Sequence, residues 1–348
     1  MYELLDPPAR AVEGGVAAYG LYKRPIPDLN LLDIDIFQRK RPSPLWLRRL
    51  RLKEWEHIGV LAESFYLGIA VVDAKFMGLS WACFFDRSTS RMVEHTRRFL
   101  PGHIRVPPAL AKGDLSARGR RYAIDIHNRL DEGYHGIVVD IAPSGSLPRF
   151  HARLTLRERM GEVQPIIALL PIEERRPFFT HKAPCPVEGE VTIGDKRFDL
   201  DPGRDVAVLD YHRTYFLSRT HWEWATCAGF DKNGTLIGIN LTRGILRRDE
   251  LLNENGIWYG ATLTPVGRAI FRIPHDPKGL WHIKTDDGAV DLTFAPRGYR
   301  SERIRIGPIN STYTQPFGLF SGKVRDAEGR IHTLEDLFGV AEDHTVTW

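Results

Sequence analysis

Apolar positions along this chain recur with a period of two. In 150-FHARLTLR-157, Phe150, Ala152, Leu154 and Leu156 share one parity, and His151, Arg153, Thr155 and Arg157 the other. In 289-AVDLTF-294, Val290, Leu292 and Phe294 oppose Ala289, Asp291 and Thr293, and 302-ERIRI-306 alternates likewise. Alternation of this kind predicts half-buried antiparallel strands. The same grammar predicts strands near 58–72, 77–86, 91–99, 121–129 and 135–142, and a new series from about 187. Between the strands stand Asn233-Gly234, Gly194-Asp195, Asp286-Asp287-Gly288 and Asp326-Ala327-Glu328-Gly329. These residues tolerate the positive φ of a hairpin tip. Helices are expected to be few and short: Pro44–His57, Arg248–Asn253 and Thr333–Phe338. In the first, Leu45, Leu47, Leu50, Leu52 and Trp55 fit neither period cleanly.

Many strands joined by tight turns predict an all-β protein, and closure into barrels removes exposed strand edges. The stretch 171-PIEERRPFFTHKAPCPVEG-189 is rich in proline and charge and divides two halves of similar length. The expected organisation is two antiparallel β-barrels in tandem, over residues 1–175 and 176–348.

Composition narrows the function classes. The 348 residues are 43% hydrophobic and 26% charged, enough for a large core. A net charge of +4 is too small and too dispersed to imply a nucleic-acid partner. The run 39-RKRPSPLWLRRLRLK-53 is basic. It reads as a solvated face over a few buried Leu and Trp, with a peripheral contact to anionic lipid as the alternative. Cys83, Cys185 and Cys227 are far apart and odd in number, which argues against a disulfide framework and for a reducing, cytoplasmic setting. The N-terminus lacks the basic and apolar regions of a signal peptide, and no apolar run reaches the length of a membrane span. Phosphate-loop, dinucleotide, zinc-protease and nucleophile-elbow motifs are all missing, so no cofactor and no metal are expected. Oligomeric state is not legible.

Chemistry concentrates in 210-DYHRTYFLSRTHWEWATCAGF-230. Asp210 shares parity with Val206 and Val208, so a strand that buries the valines carries the acid inward. Burial raises a carboxyl pKa, which makes Asp210 the expected proton donor, with His212 as its orienting partner. Further on, Trp222 and Trp224 share one face and His221 and Glu223 the other. The tryptophans are either barrel filling or the wall of an apolar pocket able to shield a cation. Glu223 is either a surface ion-pair member or a base. Tyr211 and Arg213 flank the acid, and Asn255, Trp258, Tyr313 and Gln315 are candidates to position a ligand.

These residues bring a resemblance into view. The segments 53-KEWEHIGVLAESFYLGIAV-71, 210-DYHRTYFLSRTHWEWA-225, 238-GINLTRG-244 and 339-GVAEDHTVTW-348 resemble an uncharacterised bacterial family, the domain of unknown function 2804. That family is similar at fold level to the carotenoid 1,2-hydratases (hydroxyneurosporene synthases), which carry two lipocalin-like (calycin) barrels in one chain. Asp210-Tyr211-His212 matches their second-barrel entrance motif loosely, and Thr214 stands where a glycine is expected after Arg213. The resemblance implies the tandem barrel. The combined expectation is a cofactor-independent enzyme that hydrates, cyclises or isomerises a double bond of an apolar, isoprenoid or lipid-like substrate. Asp210 would give the proton, His212 would orient it, Glu223 would serve as base, and Trp222, Trp224 and Trp258 would shield the cation. A non-catalytic lipid or pigment carrier is the alternative, and a several-hundred-Å³ cavity beside Asp210 is the discriminating feature against a filled scaffold.

Overall fold

The computed structural model describes residues 3–36, 43–276, 278–306 and 309–347. Residues 39–42 of the basic run therefore lie outside the described residues. Strand is 62% of the chain and helix 3%, and nearly all the strands belong to two curled, mainly antiparallel sheets, lipocalin-like half-barrels where two barrels were expected.

The first sheet runs, in spatial order, Arg91–Phe99, Gly78–Asp86, Phe65–Asp73, Lys53–Leu61, Val206–Thr214, Arg176–Ile193, Phe150–Arg157, Tyr134–Ile141, Tyr122–Arg129 and Gly113–Gly119. The second runs Thr262–Pro265, Gly256–Tyr259, Leu236–Arg243, Arg219–Phe230, Ile331–Thr347, Ile309–Arg325, Val290–Ile306, Trp281–Thr285 and Ala269–Arg272. The hairpin tips are those expected, with Gly234 at φ 75° and Gly288 at φ 67°.

The division expected at 175/176 cuts a hairpin of the first sheet, because Ile166–Glu173 pairs with Arg176–Ile193. The chain changes sheets between Thr214 and Arg219. The proline-rich stretch is strand: Pro177, Pro184 and Pro186 sit within an 18-residue element paired on both sides. Val206–Thr214 then returns to pair with Lys53–Leu61, closing the first half-barrel with chain from beyond the expected boundary.

Two expected helices are absent and one is shorter. Helix Leu45–Arg51 stops where Lys53 enters a strand. Residues 248–253 form turns. Thr333–Phe338 lies inside the strand Ile331–Thr347, at a bulge where Asp336 takes φ 54°. The bulge adds one residue, so Leu334 and Leu337 reach the same core three positions apart, a spacing that mimics a helix.

The core of the second half-barrel is self-contained around Ala225, Ile239, Leu292 and Phe320. A larger cluster fills the first half-barrel and continues across to Trp222, Trp224, Phe317 and Phe338. Tyr66 stacks on Phe317 at 5.3 Å and Phe85 meets the same ring at 4.5 Å. The outer face of the first sheet is thus buried against the second. This is why Val206–Thr214 is buried at every position. All three cysteines are buried and free, and no helix of the described residues is long and apolar enough to cross a membrane.

Candidate functional site

The cleft between the two sheets narrows to a cavity of about 160 Å³. Strand register decides what lines it. Lys182 pairs with Asp210, Asp210 with His57, and His212 with Trp55, so these side chains share the outer face of the first sheet. From the second sheet come Trp222, Trp224, Tyr313, Gln315, Glu342 and His344. Between them Phe216 is stacked on Trp55 at 5.6 Å and on Trp222 at 5.5 Å, so the segment that changes sheets also joins the two walls.

The floor is charged. Lys182 Nζ lies 3.0 Å from Asp210 Oδ1 and 3.2 Å from Glu254 Oε1, and 5.1 Å from the centre of the Trp224 ring. His212 Nε2 lies 2.5 Å from Asp210 Oδ1, with its ring between Trp55 and Phe178. Glu342 accepts from Trp222 Nε1 at 2.8 Å and from Gln315 Nε2 at 3.2 Å. Trp224 Nε1 donates to Asn240 Oδ1 at 2.8 Å, which fixes its ring as a wall. Arg300 spans Glu94 and Glu302 and lies over the Trp81 and Tyr313 rings. The mouth is different: Val72, Phe76, Met77, Leu79, Ile304 and Ile309 are apolar and half-buried.

Six buried polar atoms of cleft-lining residues have no protein hydrogen-bond partner: both ring nitrogens of His57, His212 Nδ1, Glu254 Oε2, Trp81 Nε1 and Asp210 Oδ1, the last held only by its ion pairs with Lys182 and His212. Their residues all line the cavity. A buried, unpaired polar atom costs ~1–3 kcal/mol, so several in one place call for an explanation.

The expected charge state of Asp210 is reversed. Burial pushes its pKa up, but His212, Lys182 and His57 outweigh burial and hold the carboxyl well below the usual carboxylate range. Asp210 is an ionised partner of two cationic or proton-bearing groups, not a neutral acid. Burial acts oppositely on His57: it lowers the pKa and keeps the imidazole neutral.

Among the other candidates, Trp222, Trp224, Tyr313 and Gln315 line the cavity with Asp210 and His212. Glu223 does not. It points to the opposite face, 3.8 Å from Arg243, half-buried and with a pKa raised by that burial. Tyr211 and Arg213 point into the first half-barrel, because odd positions of their strand oppose Asp210. Tyr211 Oη donates to Pro107 O at 2.5 Å, and Arg213 Nε to Glu54 Oε1 at 2.6 Å. Asn255 is spent on backbone: its Oδ1 accepts from Thr242 N and its Nδ2 donates to Gly267 O. Trp258 Nε1 donates to Gln164 O at 2.7 Å, away from the cleft. Lys182, His57 and Trp55 escaped sequence reasoning because they reach Asp210 only through pairing of distant strands.

A double half-barrel with a cleft between its sheets, narrowing to a cavity smaller than the several hundred Å³ expected of a ligand site, is the class that fold and site define. Residues 6–348 match the model of the domain of unknown function 2804, and the chain belongs to that family. No curated protein matches. The structure of CghA with Sch210972 superposes with a TM-score of 0.52 at 11% identity, over 85% of this chain and 88% of that one; the likeness is one of fold. Kievitone hydratase from Nectria haematococca aligns with a TM-score of 0.39 at 9% identity, over 85% and 88% of the two chains.

Proposed function

We propose that the chain is an enzyme that moves a proton at a double bond of a small, largely apolar molecule held in the cleft between the sheets, giving hydration, cyclisation or isomerisation. The observation that carries this reading is the Lys182–Asp210–His212 cluster, fully buried at the floor of a cleft whose walls and mouth are aromatic and aliphatic. An ionised acid is an expensive thing to hold in such a place unless it works on a neighbour.

The roles are the reverse of the sequence expectation. Asp210 positions, and His212 carries the proton. A carboxylate 2.5 Å from Nε2 keeps a hydrogen on that nitrogen and leaves Nδ1 for the substrate. Protonated at both nitrogens, His212 donates from Nδ1 to a carbon of the double bond. The cation that forms takes up water, is attacked by an internal π bond that passes the charge on, or reacts directly, and each course ends in loss of a proton. Neutral His57, on the same face, is placed to take that proton or to orient the water. Imidazolium is a mild acid, so a double bond conjugated to an oxygen function suits the site better than an isolated one. Trp222 and Trp224 exclude water and face the developing charge.

The test uses molecules extracted from the purified protein, identified by native mass spectrometry, and returned to it in D2O. The expected result is deuterium bound to carbon with wild type and its loss with Asp210→Asn and His212→Gln. Extracted molecules returned unchanged and undeuterated by wild type would replace this reading with that of a carrier.

A further inference from the structure

The whole chain carries a net charge of +4, yet the cleft is locally acidic. Asp210, Glu254, Glu302 and Glu342 line it against only two cations, Lys182 and Arg300. Both cations are already committed. Lys182 lies between Asp210 and Glu254, and Arg300 between Glu94 and Glu302. Glu342 is held by the neutral donors Trp222 and Gln315, with His344 Nδ1 at 3.5 Å. Among the described residues, neither Lys182 nor Arg300 is left over for an anionic ligand.

The unpaired atoms tell the same story with more detail. Glu254 spends Oε1 on Lys182 and on the hydroxyl of Thr242, which donates to it at 2.6 Å, and leaves Oε2 without a partner. His57 offers two free nitrogens, one of which is an acceptor in the neutral ring. A carboxylate oxygen accepts only. Glu254 Oε2 and the acceptor nitrogen of His57 each lack a donor. The mouth, in contrast, offers the apolar side chains of Phe76, Met77, Ile304 and Ile309.

We propose that the cleft selects an amphiphile by its head: a neutral hydroxyl or a cationic amine seated between Glu254 and His57, with its apolar body toward Phe76 and Ile304, and that it rejects carboxylate and phosphate heads. This names the substrate class of the site in the proposed function and rests on that cleft being the ligand site. It does not require a reaction there. Rejection follows from charge: an anion seated beside Glu254 in a water-poor site meets like charge, with Lys182 and Arg300 already paired to carboxylates. Acceptance follows from satisfying buried atoms that otherwise stay unpaired.

The experiment compares octan-1-ol, octylamine and octanoate, which differ only in the head, by quenching of the intrinsic fluorescence of the cleft tryptophans. Octan-1-ol and octylamine should quench saturably, and octanoate should bind at least ~10-fold more weakly. In Glu254→Gln, which keeps shape and removes charge, the preference for octylamine over octanoate should shrink. Should that variant misfold, His57→Phe serves instead: it stays folded and loses octan-1-ol affinity. The proposal is overturned if octanoate binds as tightly as octan-1-ol, if the octylamine–octanoate gap is unchanged in Glu254→Gln and octan-1-ol affinity is unchanged in His57→Phe, or if no probe binds the folded wild type. Deuterium incorporation is independent of these outcomes. Selection without incorporation removes the reaction and keeps the head preference, and incorporation without selection does the reverse.

Discussion

Two buried polar clusters lie back to back across two strands of the first sheet, Lys53–Leu61 and Arg176–Ile193. On the inner side, Glu56, Asn128, His135, Glu158 and His181 form a chain inside the half-barrel. Asn128 Nδ2 donates to Glu56 Oε2 at 3.0 Å, and His135 reaches Asn128 Oδ1 at 2.6 Å and Glu158 Oε2 at 3.1 Å. His181 reaches Glu158 Oε1 at 2.6 Å. On the outer side, Lys182, Asp210, His212, His57 and Glu254 border the cleft. Lys182 follows His181 in sequence, and His57 follows Glu56, so one peptide step separates the clusters. Composition does not distinguish them: each joins acids to histidines in full burial. Saturation does. The inner chain has a single loose end, Glu56 Oε1, whereas the outer cluster has five atoms without a hydrogen-bond partner and a cavity beside them. A polar network that closes on itself is structure, and one left open toward a cavity is a site.

The harshest way to break the comparison is to open the closed cluster. His181→Leu removes one of the two imidazoles that hold Glu158, which is 2% exposed. A buried charge stripped of its partner costs ~3–5 kcal/mol, so the midpoint of urea unfolding should fall accordingly. A loss below ~1 kcal/mol would mean the inner chain is not what holds this half-barrel, and the contrast with the cleft would lose its basis.

How much of this was legible in the sequence follows from the same geometry. The alternation that predicted strands is a local property, and the strands are there. Parity also separated Trp222 and Trp224 from His221 and Glu223, and the sheet keeps them on opposite faces. Parity could not say which side of a strand is inside a barrel. Val206–Thr214 is buried on both faces, so valines on the parity of Asp210 pointed to burial but not to the cleft. Nor could it reveal that the chain changes sheets between His212 and Trp222, which turns two parts of one segment into opposing walls. His57 and Lys182 meet Asp210 across separations of 153 and 28 residues, through register alone. The charge of Asp210 depends on that meeting. Burial alone predicts a neutral acid, and His212 together with Lys182 makes it an ionised one.

Acid sharpens what the clusters share. Burial pushes Glu158 up, but His181 and His135 outweigh it and hold the carboxyl below its ordinary range, as His212 and Lys182 do for Asp210. A carboxyl depressed in the folded state contributes stability that is present above its unfolded pKa, ~4, and is lost as pH falls below that value. Unfolding midpoints should therefore drop steeply below about pH 4. Glu158→Gln should start lower at neutral pH and show a shallower acid limb. An unchanged limb in that variant would remove Glu158 from the acid response.

The smallest effect expected on stability is the most telling. His57→Phe replaces a ring that is 5% exposed and has no partner on either nitrogen by one of similar size that needs none. It keeps the edge-on contact with Trp224, whose ring centre lies 5.9 Å away. Removing an unpaired buried polar group should leave stability unchanged or raise it by up to ~1 kcal/mol, whereas the same exchange at His135 should lower it. His57 would then be kept at a cost to the fold, which makes sense only if something other than the protein pairs with it. If His57→Phe instead destabilises the chain as His135→Phe does, the imidazole already has a partner in solution, and the cleft is as closed as the network behind it.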